Sequence, residues 1–329
     1  MMLVAMLMQP NFAQEIRWDD EEPRLVLEAI SDGQVSDEEF KEISHTRGFI
    51  RLGQREIGMG REFSHSEFRE YLDSQVPHRY RLRKTLNDWS QIDFSSLANR
   101  AKRYLPQGAD LATTVYPSIK PKPNSFVWEI DSDPAIFLFL DPAKSSEEVA
   151  TTITHELHHI GYGKSCPSQK FISWKSNLTD SQQTAWTWLG AYGEGFAVLA
   201  AAKDISNPVG DMGDEVQKAW TDGMKNLDRD FSLVQEFLIA SASGKLDSQQ
   251  SMEKARSFYG VQGPWYTVGF HIAITIEKEL GREKLIECYT DPRKLLIFYN
   301  DAVKKGERKQ PTFSAELIRE LGLLRSTED

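Results

Sequence analysis

The stretch SSEEVATTITHELHHIG, residues 145–161, leaves the chain little choice of local structure. Ser145 is followed three residues later by Glu148, which is a capping-box signature. Val149, Ile153, Leu157 and Ile160 then recur at spacings of three and four. At about 100° per residue they fall within about 80° of one another and form a single apolar stripe. Gly161 is a stop signal, so the pattern predicts a helix of about 15 residues with one face in a core.

The polar side of this helix carries the chemistry. His155 and His159 are one turn apart and separated by only about 40° around the axis. Two imidazoles placed in this way can share one metal ion. Glu156 lies between that pair and the apolar stripe, where its carboxylate can reach a metal-bound water rather than the ion. His158 points away and is not expected to be a ligand. This is the H-E-x-x-H arrangement of two histidine ligands and a glutamate general base. The alternative is a helix that merely carries surface or core histidines.

A catalytic zinc usually has three protein ligands and one open position. The best candidate for the third ligand is Glu194, in WTWLGAYGEGFAVLAAA, residues 186–202. It reads as a mid-helix carboxylate among apolar residues. Its face bears Gly190, Ala191, Ala197, Val198 and Ala201, small enough to let the motif helix approach closely. A buried carboxylate is costly without a partner, and a metal would serve, as would an Arg or Lys. Asp204, Asp211 and Asp214 are alternatives in a Gly/Pro-rich loop with no apolar helix to hold them.

Elsewhere, Ser36 with Glu39 and Ser64 with Glu67 form further capping boxes, so residues 14–110 read as a helical N-terminal region. DLATTVYPSIK, SFVWEI and AIFLFL, separated by PKPN and DSDP turns, predict a small sheet between about residues 111 and 140. AIFLFL is apolar on both faces and should be covered on both. From Ser181 onward the pattern is helical again. The expected fold is α+β, mostly helical, with one small sheet beside the motif helix and residues 111–329 as the catalytic region.

The net charge of −10 argues against nucleic acid or an anionic membrane as the main partner. The basic stretch HRYRLRK, residues 78–84, reads as a solvated helix face. Cys166 and Cys288 contain no CxxC pair, which excludes a zinc ribbon; they are either free buried thiols or one disulfide. No run approaches the ~18 apolar residues of a membrane span. MMLVAMLMQPNFAQE resembles the end of a secretory signal, with the small residue Ala13 before the cut, although its apolar run is short and no Lys or Arg precedes it. The expectation is a signal remnant over residues 1–13 and a secreted or periplasmic protein, with a cytoplasmic one as the alternative.

His155-Glu156-x-x-His159 followed at a distance by Gly193-Glu194-Gly195-Phe196-Ala197 resembles the gluzincin clan of zinc metallopeptidases, which includes thermolysin and the membrane alanyl aminopeptidases. The aminopeptidases carry a similar Asn-Glu-Gly-Phe-Ala; here Gly193 stands in place of the Asn, and 35 residues separate His159 from Glu194, more than in either type. Their G-x-M-E-N exopeptidase signature is missing from this sequence. The likeness covers roughly residues 135–280, and the closest overall look is to uncharacterised bacterial families labelled as zinc-dependent peptidases. A second piece is GPWYTVGFHIAITIEKELG, residues 263–281, with Pro264 suited to a helix start and Gly281 to its end. The aminopeptidases have a similar Tyr-x-x-Gly whose tyrosine donates to the tetrahedral oxyanion. By that match Tyr266 takes the role here, the alternative being a core tyrosine. His271 projects to another face and is expected to be structural.

The resemblance implies a zincin-like fold, one zinc ion and hydrolysis of a peptide or protein substrate. It also likens AIFLFL to the zincin edge strand, along which an extended peptide adds. The residues alone support zinc-assisted hydrolysis of a carbonyl compound. A hydrolase of a non-peptide amide or ester, and a binding protein with a non-catalytic zinc, are the rival readings.

Overall fold

The computed structural model describes residues 16–165, 172–306 and 309–323. The signal-like residues 1–13 and Cys166, one half of the candidate disulfide, lie outside them. The fold is α+β, mostly helical, with one four-stranded sheet.

The sheet consists of β1 (Ile16–Trp18), β2 (Thr113–Ser118), β3 (Phe126–Trp128) and β4 (Ala135–Phe139), in the order β1-β2-β4-β3. β1 and β2 are parallel, with Ile16 opposite Thr113, and β2 and β4 are parallel, with Val115 opposite Ile136. β3 returns antiparallel, with Phe126 opposite Phe137. β4 is therefore an interior strand, which corrects the expectation that AIFLFL forms the sheet edge. Ala135, Ile136, Phe137 and Leu138 are all buried, and a strand apolar on both faces belongs inside a sheet. The half-buried β3 occupies that edge instead. β1 was not anticipated; three residues are too few for an alternating pattern to stand out.

Six helices lie between Glu21 and Lys102. The Ser36–Glu39 capping box forms in both directions, whereas Ser64 caps through its hydroxyl alone. These helices, the sheet and Val149, Ile153, Leu157 and Ile160 of the motif helix share one apolar core. The helices after Asp180 build a second core around Tyr192, Phe196, Trp265 and Tyr289. Tyr162 of the motif helix packs against both cores, so that helix lies at their junction.

The motif helix spans Ser146–Ser165, longer than expected, because it runs through Gly161. A Cβ at Gly161 would come within 2.8 Å of Leu111 and closer still to Leu105. The glycine is there for close packing and does not end the helix. The segment around Glu194 also departs from expectation. A helix over Asp180–Leu189 gives way to a 3₁₀ turn at Gly190–Tyr192, and a new helix, Gly193–Ala201, begins. Glu194 is thus in a first turn rather than mid-helix. The small residues of this glutamate helix do most for its contact with a third helix, Pro264–Leu280, where Gly195 and Gly269 bring the two backbones together.

Candidate metal centre

Three helices from the two cores converge on one point. The motif helix presents His155 and His159, whose rings are 4.6 Å apart at 78°. Their Nε2 atoms lie 2.9 Å apart. Glu194 Oε2 is 3.1 Å from Nε2 of His155 and 3.3 Å from Nε2 of His159. A tetrahedral ion with bonds of about 2.0–2.1 Å needs ligand atoms about 3.3 Å from one another. The three separations lie at or a few tenths of an ångström inside that edge, and two imidazole nitrogens with one carboxylate oxygen are a donor set that suits zinc. Among the described residues these three form the one such group of histidine, cysteine and carboxylate side chains.

Asp204, Asp211 and Asp214 do not join it. Asp204 accepts from Ser206 and Asp211 pairs with Lys203, while Asp214 begins a separate helix. Glu194 pairs with the two imidazoles and accepts from the Tyr266 hydroxyl, not, among the described residues, from an Arg or Lys.

The charges of the group are strongly coupled. Burial works against ionisation of Glu194, but His159 and His155 outweigh it and hold the carboxyl well below its usual range. Burial likewise opposes a charge on His159, yet the Glu194 carboxylate beside it pushes that imidazole up to about 9. The metal-free cluster thus holds a proton that a metal ion must displace.

Glu156 is half-buried and lines the same cleft as His155. Burial raises its carboxyl pKa, partly offset by the two histidines, which gives a stronger base than a solvated carboxylate. Tyr266 sits in the first turn of the Pro264–Leu280 helix, and its ring stacks on His155 at 6.3 Å. Burial, reinforced by Glu194 and Glu156, pushes its phenol far up, so it stays a neutral donor. Behind it, 6.5 Å away ring to ring, lies Tyr259, whose phenol burial and the Glu194 charge push up to about 12.

His158 lies elsewhere. It is fully buried, packed edge-on against Tyr289 and parallel to Tyr162. Burial, with His159 and His155 close by, pulls it down to about 3, so the ring is neutral. His271 packs against Tyr299 on a different face of its helix.

The cleft has a volume of about 370 Å³. Thr151, Thr152, His155 and Glu156 come from the motif helix, and Pro123 and Ser125 from the approach to β3. Val198, Val209 and Met212 form an apolar wall, and Gly260, Gln262 and Tyr266 close the far side. Sequence reasoning passed over Thr151 and Gln262. Neither belongs to a spaced motif, and only their placement in this wall draws attention to them.

Residues 30–307 match the family model described as "Putative zinc dependent peptidase (DUF5700)". No curated protein and no solved structure matches the chain.

Proposed function

Because the chain belongs to that zinc-dependent peptidase family, we propose that it hydrolyses peptide bonds at a gluzincin-type centre in a zincin-like fold. His155, His159 and Glu194 would hold one zinc ion. The observation that carries this reading is the triangle of Nε2, Nε2 and Oε2 atoms 2.9–3.3 Å apart, with Glu156 and Tyr266 on the same cleft. Bound there, zinc supplies Lewis acidity, which acidifies a water molecule and polarises a carbonyl.

The chain's own residues do the rest. The carboxylate of Glu156 takes a proton from the attacking water and passes it to the leaving amine. Its partial burial suits it to both halves of that transfer. The Tyr266 hydroxyl donates to the oxyanion as charge develops, from a helix N-terminus that adds a favourable dipole. Among the described residues no strand pairs with β3 on its outer side, and the residues leading into it line the cleft. An extended peptide can pair along that edge and pass over Glu156.

The test is metal analysis of the purified protein together with cleavage of a peptide library and of small non-peptide amides, with and without a chelator. One zinc per chain, and peptide cleavage lost with the metal, are expected. Glu194→Ala should retain zinc poorly. Glu156→Gln should keep zinc and fold while turnover falls about 10²–10⁴-fold. Full zinc occupancy in the first variant, or near-normal turnover in the second, would overturn the assignment.

A further inference from the structure

Two buried polar atoms in the cleft wall have no hydrogen-bond partner among the described residues. They are the hydroxyl of Thr151 and the side-chain carbonyl oxygen of Gln262. Thr151 is only 7% exposed. Its neighbours show the ordinary solution for a buried threonine in a helix: Thr152 donates to the Glu148 carbonyl and Thr154 to that of Ala150. Thr151 does neither. A buried polar group left unpaired costs the fold its full desolvation penalty.

Gln262 carries a second cost. Its φ is 52°, in the left-handed region that favours glycine. Gly260, two residues earlier, adopts a similar φ of 47° without penalty. For stability alone a valine would suit position 151 and a glycine position 262. Thr151 lies one helical turn before His155, and Gln262 lies just before the helix that carries Tyr266.

A donor and an acceptor left unpaired just beneath the wall of one cleft match the two faces of a peptide group. An extended chain offers a carbonyl and an N–H at each residue, repeating every ~3.3 Å. Both atoms are buried in the free chain, so each must turn outward by side-chain rotation to meet such a chain. We propose that Gln262 and Thr151 are main-chain anchors for an extended peptide substrate, Gln262 Oε1 accepting a substrate N–H and the Thr151 hydroxyl donating to a substrate carbonyl. The proposal rests on the peptide-hydrolysis reading of the same cleft and adds that substrate is gripped by its backbone. Val198, Val209 and Met212 are left to meet its side chains.

The test uses the full chain carrying Glu156→Gln, so that bound peptide is not turned over. Fluorescein-labelled casein, an unfolded chain, is titrated and followed by anisotropy. Adding Gln262→Gly or Thr151→Val should weaken binding about three- to tenfold each, the range of one neutral hydrogen bond. Melting temperature should hold or rise, because glycine suits the left-handed φ and valine removes an unpaired hydroxyl. In the otherwise wild-type chain the same substitutions should raise KM with little change in kcat. Casein affinity within about twofold of the parent in both variants would overturn the anchors, as would failure of the parent to bind casein at all. Cleavage by the wild type is scored separately: its absence would count against the functional reading, not the anchors.

Discussion

Gly195→Ala tests whether helix contact positions the centre. An added Cβ would lie 2.5 Å from the Tyr266 carbonyl oxygen, and closer still to the Phe270 amide nitrogen and the Gly269 carbonyl carbon. Ordinary contact begins at 3.4 Å. Every one of these atoms is helix backbone, so no rotamer change relieves the clash. The glutamate helix and the Pro264–Leu280 helix must part by about 1 Å or more, an overpacking that costs about 1–3 kcal/mol. At about 2–4 °C per kcal/mol for a large domain, the melting temperature should fall by roughly 2–12 °C. The functional effect should be larger than the thermal one. The displaced helix begins with Gly193 and Glu194 and faces Tyr266 across the contact. Ligand distances tolerate only about 0.2 Å, so zinc affinity should drop. A misplacement near 1 Å costs about a hundredfold in turnover. Thermal unfolding, zinc titration and peptide cleavage measure the three effects. Gly190→Ala is the control, because nothing lies within 4 Å of its Cβ; it should be neutral or slightly stabilising. A Gly195→Ala chain with wild-type melting temperature and turnover would refute the reasoning.

Tyr266→Phe removes one hydroxyl and keeps the ring against His155. Zinc and melting temperature should be retained, while turnover falls at least about a hundredfold with little change in KM. An active Tyr266→Phe beside a crippled Tyr259→Phe would move the donor role to the second tyrosine. Zinc affinity should also depend on pH in a particular window. Burial opposes a proton on His159, but Glu194 raises it to about 9 in the metal-free chain, and only the neutral ring ligates. Affinity should therefore rise about tenfold per pH unit between pH 7 and 9 and level off above, as one proton is displaced per ion bound. An unperturbed imidazole, titrating near 6.5, would leave that window flat. Competition against a chelator distinguishes the two.

The sequence by itself determined what depends on neighbours along the chain. Helical repeat alone puts His155 and His159 on one face and Val149, Ile153, Leu157 and Ile160 on another. Capping at Ser36 and Ser145 needs only the residues three positions on. The apolar character of AIFLFL required cover on both faces, and β4 has it. The tertiary structure decided whatever depends on a partner far away in sequence. Gly161 is indistinguishable from a helix stop until Leu105 and Leu111 are seen against it. The edge of the sheet falls at β3 because β2 claims the other side of β4, a pairing that no local pattern encodes. β1 joins by spanning nearly a hundred residues to reach β2. The approach of Glu194 Oε2 to both imidazoles depends on a 3₁₀ turn and on a glycine contact between two helices. Thr151 and Gln262 carry no local signature at all. Their unpaired atoms have meaning only within a cleft assembled from distant segments, because a missing hydrogen bond is a property of everything packed around a group.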